Sequence, residues 1–539
     1  MKSKFSLTTR SVLWISIAAF LIPTLLIEFW VLPATNWTFA YPIDDTFIHL
    51  AIAKNLAFHQ VWGISSHEFV SAASSLLYPF LIAITLKIFG SYIIIPFIIN
   101  LIAGIILLAV LQRWLIRQEI GQAAQLWILL LVIFFTPLPV LAMSGMEHIL
   151  QFLFTFLFIT TFSGELAGLI RSGKKEWEFS WQVYVYGVLM TATRYEGLPL
   201  LAIACLALLV RRKVFLSFEL GLICALPIIL FGLYSLYKGG YFVPNSILLK
   251  SGAPPLTLDG LKEFFSKAIF MKLSFSIVGY NTVATQRLLF LLPIAYLLFN
   301  RQLRSQIGYQ YILLILMAAV FLHLCLTGYA HFPRYEAYLI GCSTVVLGLL
   351  VAKYGKVAFT SQPILARWIT GITGLFLVFP LALRSTTAFD EVGRACINIY
   401  EQQYQMGQFL HNHYYNEPVA IGDIGAVSYY TAGKNLDMVG LGNIEVARSH
   451  KNHYFSPDFM DWLSKKDSIK IAICYDYFND PNLLHRWNKV ATWEIPNNVA
   501  CGDKTVSFYA VDKNQAPVLK KDLQDFQKSL PGEVVVRYY

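Results

Sequence analysis

Residues 74–89 read SSLLYPFLIAITLKIF, and whether this stretch crosses a membrane decides the orientation of everything that follows it. It is apolar but shorter than the roughly 20 residues that a span requires. The basic residues around it settle the choice, because Lys and Arg favour the cytoplasmic ends of spans. Lys2, Lys4 and Arg10 precede a first apolar run over 11–33. Later connectors carry Arg113 with Arg117; Arg171 with Lys174 and Lys175; Arg211, Arg212 and Lys213; Arg301 with Arg304; and Lys353 with Lys356. If 74–89 spanned, Arg113 and Arg117 would fall outside and every later connector would invert. If it lies on the outer surface, inside a long first outer loop over 34–90, all of them fall on the cytoplasmic side with the N-terminus. The pattern predicts a surface helix at 74–89 and about eleven spans, starting near 11, 91, 122, 148, 181, 197, 215, 287, 309, 335 and 366, with the C-terminus outside.

Composition agrees. Of the 539 residues 56% are hydrophobic and 14% charged, against roughly 45–50% and about 25% in soluble domains. Aromatic residues make up 15%, which suits side chains at headgroup level. The net charge of +10 sits in short clusters between apolar runs, the pattern of topology signals rather than of a nucleic-acid face. The first run is too long for a signal-peptide core and lacks a small-residue cleavage site, so it reads as a retained span. The seven cysteines show no metal-ligand spacing. Cys205, Cys224, Cys325 and Cys342 lie in apolar runs as packing residues. Cys396, Cys474 and Cys501 lie in the polar C-terminal region, where an extracytoplasmic location would permit a Cys474–Cys501 disulfide.

The expected fold is an α-helical polytopic membrane domain over 1–384, followed by an extracytoplasmic α/β domain over 385–539. In the latter, 395–415 reads as a helix and VAIGD (419–423), NLDMVGL (435–441), KIAICY (470–475) and TVSFYAV (505–511) as strands. A short helix runs through Tyr429 and Tyr430, and a polar helix lies near 457–466. The sequence has no internal repeat and no nucleotide-binding loop.

With this topology the notable ionisable groups share the outer face. Asp44 and Asp45 follow the first span. Adjacent carboxylates repel, so the pair suits a divalent cation, a basic partner or a proton-transfer role, although one Asp alone is a sound helix N-cap. Glu147 lies where one span ends and the next begins, a place where an acid also suits the helix dipole. Arg194 and Glu196 interrupt an apolar stretch, where ionisable groups are costly unless paired or functional. Lys250, His331 and Arg334 are cations suited to phosphate oxygens or to anionic headgroups. His49, one turn after Asp45, and Glu68 join Asp44 and Asp45 as candidate metal ligands. Carboxylates beside cations at a lipid surface suit transfer from a lipid phosphate: the carboxylate accepts a hydroxyl proton, and cations or a metal hold the departing phosphate.

At these residues the chain resembles the GT-C superfamily of membrane glycosyltransferases, particularly the bacterial branch that includes terminal arabinofuranosyltransferases. The segment 44–56 (DDTFIHLAIAKNL) resembles that branch's acidic first-loop motif, and Val70 through Tyr78 its Ser-Ser-Pro-Leu-Trp stretch. Ser144 through Glu147, Arg194 through Gly197, and Pro244-Asn245-Ser246 with Lys250 resemble three further motifs in order. Gly425 through Tyr430, then Asp437 and Gly440-Leu441, resemble its C-terminal domain. Departures are Ala51 where some members carry Arg, Leu76 in place of the Pro, and Tyr78 in place of the Trp. The resemblance implies a bacterial inner-membrane enzyme that transfers a sugar, with inversion, from a polyprenyl-phosphate donor to an envelope glycan, lipid or protein. It implies Asp44 or Asp45 as base and the motif residues Arg194 and Lys250 as holders of the donor phosphate. The residues themselves add Glu147 and Glu196 as catalytic groups that orient the acceptor or the cations, and His331 and Arg334 as further phosphate contacts. The resemblance leaves room for a divalent cation, Mg or Mn. The competing readings are a lipid or glycan transporter, which would favour polar groups at the midplane and two related halves, and a non-catalytic envelope assembly protein.

Overall fold

The computed structural model describes residues 7–173, 177–250, 259, 262, 282–300, 303–326, 332–355 and 363–539. Helix α1 (Thr9–Ala34) opens on a capping box in which Thr8 and Ser11 exchange side-chain and backbone hydrogen bonds. The next helix, α2 (Asp45–His59), stops at Gln60, whose backbone is left-handed. It packs against α3 (Leu77–Phe89). The 13 residues of α3 reach about 20 Å, short of a hydrocarbon core of about 30 Å. One face buries Tyr78, Ile82 and Leu86, while Ile84, Ile88 and Phe89 stay exposed. A short helix that is apolar on both faces suits burial against protein on one side and lipid on the other.

There follow α4 (Ile95–Arg117), α5 (Gln122–Phe135), α6 (Leu138–Met143), α7 (His148–Ser172), α8 (Trp181–Thr193), α9 (Gly197–Val210), α10 (Val214–Tyr237) and α11 (Asn245–Lys250). Later helices are Thr282–Phe299, Ile307–Leu326, Ala337–Leu350 and Ile364–Ile399. Among the described residues six helices are long and apolar enough to cross a membrane: α1, α4, α7, α10, and those within 307–324 and 337–355. Each of the other five regions expected to span is also helical, although α5, α8 and α9 have only 14, 13 and 14 residues.

Helix Ile364–Ile399 runs unbroken through the expected domain boundary and continues, through a π turn at Tyr400–Tyr404, into Gln405–His413. It leads into a six-stranded mixed sheet of order β2-β1-β3-β5-β4-β6. The strands are β1 (Ala420–Ile421), β2 (Leu436–Asp437), β3 (Ile471–Cys474), β4 (Asn488–Glu494), β5 (Thr505–Ala510) and β6 (Val535–Tyr538). The first three pair in parallel and the rest antiparallel. Four strands match the sequence reading; β4 and β6 are additional. One face of the sheet packs Trp493 and Phe508 with Phe409 and Phe526, and this core continues into Ile48, Ile52, Trp62 and Val70 of the first loop. The C-terminal region and the first loop therefore share one apolar core.

The Cys474–Cys501 disulfide that the sequence would permit does not form: both thiols are free and buried. Cys474 faces the core on the other side of the sheet, with Leu436, Met460 and Trp487. Cys501 packs in the core that includes Tyr400 and Tyr429, and its thiol donates to Gln403 Oε1 at 3.0 Å. The two thiols thus belong to different apolar clusters, Cys474 on β3 and Cys501 in the turn before β5.

Candidate active site

Local turns bring the ionisable groups together. The turn between α6 and α7 carries Gly145 at φ +64, where a Cβ would strike Tyr41 and Thr46. Glycine therefore lets this turn lie against the first loop, where the Thr46 hydroxyl donates to Ser144 O at 2.5 Å and the Tyr78 hydroxyl to Gly145 O at 2.7 Å. Glu147 emerges from this turn fully buried. Its Oε1 accepts from Arg194 Nη1 at 2.5 Å and from the Ser74 hydroxyl at 3.3 Å.

Arg194 sits at an extended break between α8 and α9. Glu196 binds it in a fork: Nε donates to Oε2 at 3.1 Å and Nη2 to Oε1 at 2.8 Å. Two carboxylates thus hold one buried guanidinium, which offsets the desolvation of its charge. His49, on α2, places Nε2 3.7 Å from Glu147 Oε2. Burial pushes His49 below its ordinary value of 6.5, and the neighbouring Glu147 opposes that shift.

The second cluster centres on Arg334, whose Nη2 donates to Asp45 Oδ2 at 2.6 Å. Asp45 is 27% exposed at its side chain, whereas Arg334 is buried. Among the described residues Arg334 Nε and Nη1 have no hydrogen-bond partner. Tyr335 joins the two clusters: the guanidinium carbons of Arg194 and Arg334 each lie 5.2 Å from its ring centroid. Arg384, from helix Ile364–Ile399, fixes the turn that carries both residues. It donates to Pro333 O at 2.7 Å, to Glu336 Oε1 at 3.0 Å and to Phe135 O at 2.8 Å.

Asp44 takes a different course. Its Oδ2 accepts the Gly425 N–H at 2.7 Å and its Oδ1 the Ala426 N–H at 2.8 Å. Desolvation beneath the C-terminal region, with Asp423 adding a like charge, pushes its carboxyl above the ordinary range.

The structure therefore gathers Asp44, Asp45, His49, Glu147, Arg194, Glu196 and Arg334 into one region. Glu68 lies apart, 3.4 Å from Lys434 Nζ. Lys250 ends α11 and only its backbone is described, while His331 lies outside the described residues. The four residues expected as metal ligands do not form one group. Asp44 is taken by amide N–H groups, Asp45 by Arg334 and Glu68 by Lys434. Among the described residues no cluster of three acidic, His or Cys side chains is arranged for a metal ion. Sequence reasoning missed Ser74, Tyr335, Arg384 and the Gly425 and Ala426 amides. The signals were faint: an aromatic beside Arg334, and an Arg in a helix otherwise rich in apolar residues.

A family model described as a domain of unknown function (DUF8728) matches residues 397–509. No curated protein matches the sequence significantly. Among solved structures, ArnT from Cupriavidus metallidurans bound to undecaprenyl phosphate is similar, with TM-score 0.52 and 11% identity. The match covers 92% of this chain and 98% of that one. The apo form of the same protein matches at TM-score 0.46 and 12% identity over the same shares. The chain thus shares the helical fold of that undecaprenyl-phosphate-bound structure and carries a small C-terminal sheet.

Proposed function

We propose that this GT-C-fold chain is a glycosyltransferase that moves a sugar from a polyprenyl-phosphate carrier to a hydroxyl of an envelope glycan, lipid or protein. Its site would face the extracytoplasmic side of the bacterial inner membrane. The observation that carries the reading is Arg334: a buried guanidinium with two donors free of described partners, stacked with Arg194 about one ring and touching a partly exposed carboxylate. A guanidinium fork suits phosphate oxygens, and the likeness to a structure bound to undecaprenyl phosphate supports a lipid-borne one.

In this mechanism the donor phosphate competes with Asp45 for Arg334, which loosens that ion pair as the donor binds. Asp45 accepts the proton of the acceptor hydroxyl. The acceptor oxygen bonds to the anomeric carbon as the bond from that carbon to the phosphate oxygen breaks, with inversion. The electron pair leaves with polyprenyl phosphate, whose charge Arg334 and Arg194 stabilise. Glu147 and Glu196 orient Arg194. Lys250 and His331 are further proposed phosphate contacts. Asp45 is assigned the base in preference to Asp44 because both Asp44 oxygens are occupied.

The test uses purified full-length protein in nanodiscs, a panel of polyprenyl-monophosphate sugars, and envelope extract as acceptor. Wild type should release polyprenyl phosphate from at least one donor, and Asp45→Asn should not. Equal release by both proteins would remove Asp45 from the chemistry; no release by wild type from any donor would refute the activity.

A further inference from the structure

We infer that the region 397–509 is a structural part of the active site, and that Asp44 is a positioning residue that ties it to Asp45 through the backbone of Gly425 and Ala426. This rests on the function proposed above. Asp44 occupies the N-cap position of α2, yet its side chain makes no capping bond to that helix. Its carboxyl instead satisfies two amide N–H groups at the start of the short helix Gly425–Tyr430. A capping residue has been turned from its own helix to one 381 positions away.

Gly425 has no room for another side chain. A Cβ there would collide with the Asp44 carbonyl oxygen and Cγ. Other groups of the first outer loop grip the same short helix. The ring of Phe47 lies 6.2 Å from that of Tyr429 and 6.3 Å from that of Tyr430. Lys54 donates to Tyr429 O and stands over the Tyr429 ring. Ser91 Oγ is 3.0 Å from the Tyr429 hydroxyl. On the far side, Asp423 Oδ2 accepts from the Tyr475 hydroxyl at 2.5 Å and from Gln403 Nε2 at 2.8 Å, which anchors the strand end preceding the helix.

Asp45 follows Asp44 by one peptide bond, so whatever fixes Asp44 fixes the approach of Asp45 to Arg334. Loosening the anchor should leave the cations that receive the donor in place while misplacing the base. A displacement of about 1 Å can lower a chemical rate by about 10²-fold.

The experiment measures Asp44→Asn, Asp44→Ala, Gly425→Ala and Asp44→Asn/Gly425→Ala in the full-length protein. Hydrogen exchange, which needs no activity, should show faster exchange in peptides covering 44–50 and 425–430 for each variant. In the transfer assay each single variant should lower kcat by about 10²-fold with the donor KM no higher than in wild type, since a displaced Asp45 competes less for Arg334. The double variant should be no slower than the worse single, because both lesions break one contact. Unchanged exchange at 44–50, losses that multiply, or wild-type kcat in all three single variants would overturn the inference. If wild type consumes no donor, the proposed function fails, while the exchange measurement still decides whether the anchor exists.

Discussion

Arg334 Nη2 lies 2.6 Å from Asp45 Oδ2, which joins residues 289 positions apart into one buried-to-surface ion pair. The pairing makes Arg334 both the keeper of the base and a receiver of phosphate. Arg334→Ala should lower kcat/KM for the donor by roughly 10²–10³-fold, the usual loss for one donor to developing charge. Arg334→Lys should recover part of it, since an ammonium keeps the charge and loses the fork. Steady-state kinetics with the polyprenyl donor check both.

Tyr335 should matter through its ring and not its hydroxyl. Tyr335→Phe is expected near wild type. Tyr335→Leu should weaken donor affinity by roughly 2–30-fold, matching a contribution of about 0.5–2 kcal/mol from cation–π contact. Native mass spectrometry of the polyprenyl phosphate complex measures this.

Glu147 and Glu196 share one guanidinium, so their losses should not add. Glu147→Ala alone is expected to cost about 1–3 kcal/mol, because Arg194 keeps its fork to Glu196. Removing both carboxylates strands a buried charge, and the double variant should lose more than the sum of the singles. Thermal unfolding in matched detergent checks the order.

Asp437, in the sheet and fully buried, is pushed from its ordinary 3.8 to about 6 by burial, against the Gly442 and Val439 N–H groups that favour its charge. The folded state then holds a proton more tightly than the unfolded one. Stability from this group is fully present below pH 3.8 and is lost as pH rises to about 6. Asp437→Asn should flatten the dependence across that window. Denaturant unfolding followed by Trp493 fluorescence at several pH values measures it.

The helix within 74–89 was legible from its apolar run, and it forms as α3, no longer than α5, α8 and α9. The ionisable clusters were legible because charged groups are conspicuous in apolar sequence. The polar helix at 457–466 matches in full, with Ser456 as its cap. Strand β6 was not legible: its alternation lies in four residues at the chain end, and only pairing with β4 gives it shape. The Asp44 contact was hidden for a different reason. It is made to backbone N–H groups, which every non-proline residue carries and no sequence pattern marks. The disulfide that the sequence permitted does not form, because Cys474 on β3 and Cys501 in the turn before β5 sit in different apolar clusters.

The most direct measurement is envelope-glycan mass spectrometry on a deletion strain, its wild-type complement and an Asp45→Asn complement at equal membrane level. The account predicts a sugar missing in the deletion, restored by wild type, and still missing with Asp45→Asn, because losing a general base slows transfer by roughly 10²–10⁴-fold. Full restoration of that sugar by Asp45→Asn would contradict the account and move the function towards transport or assembly.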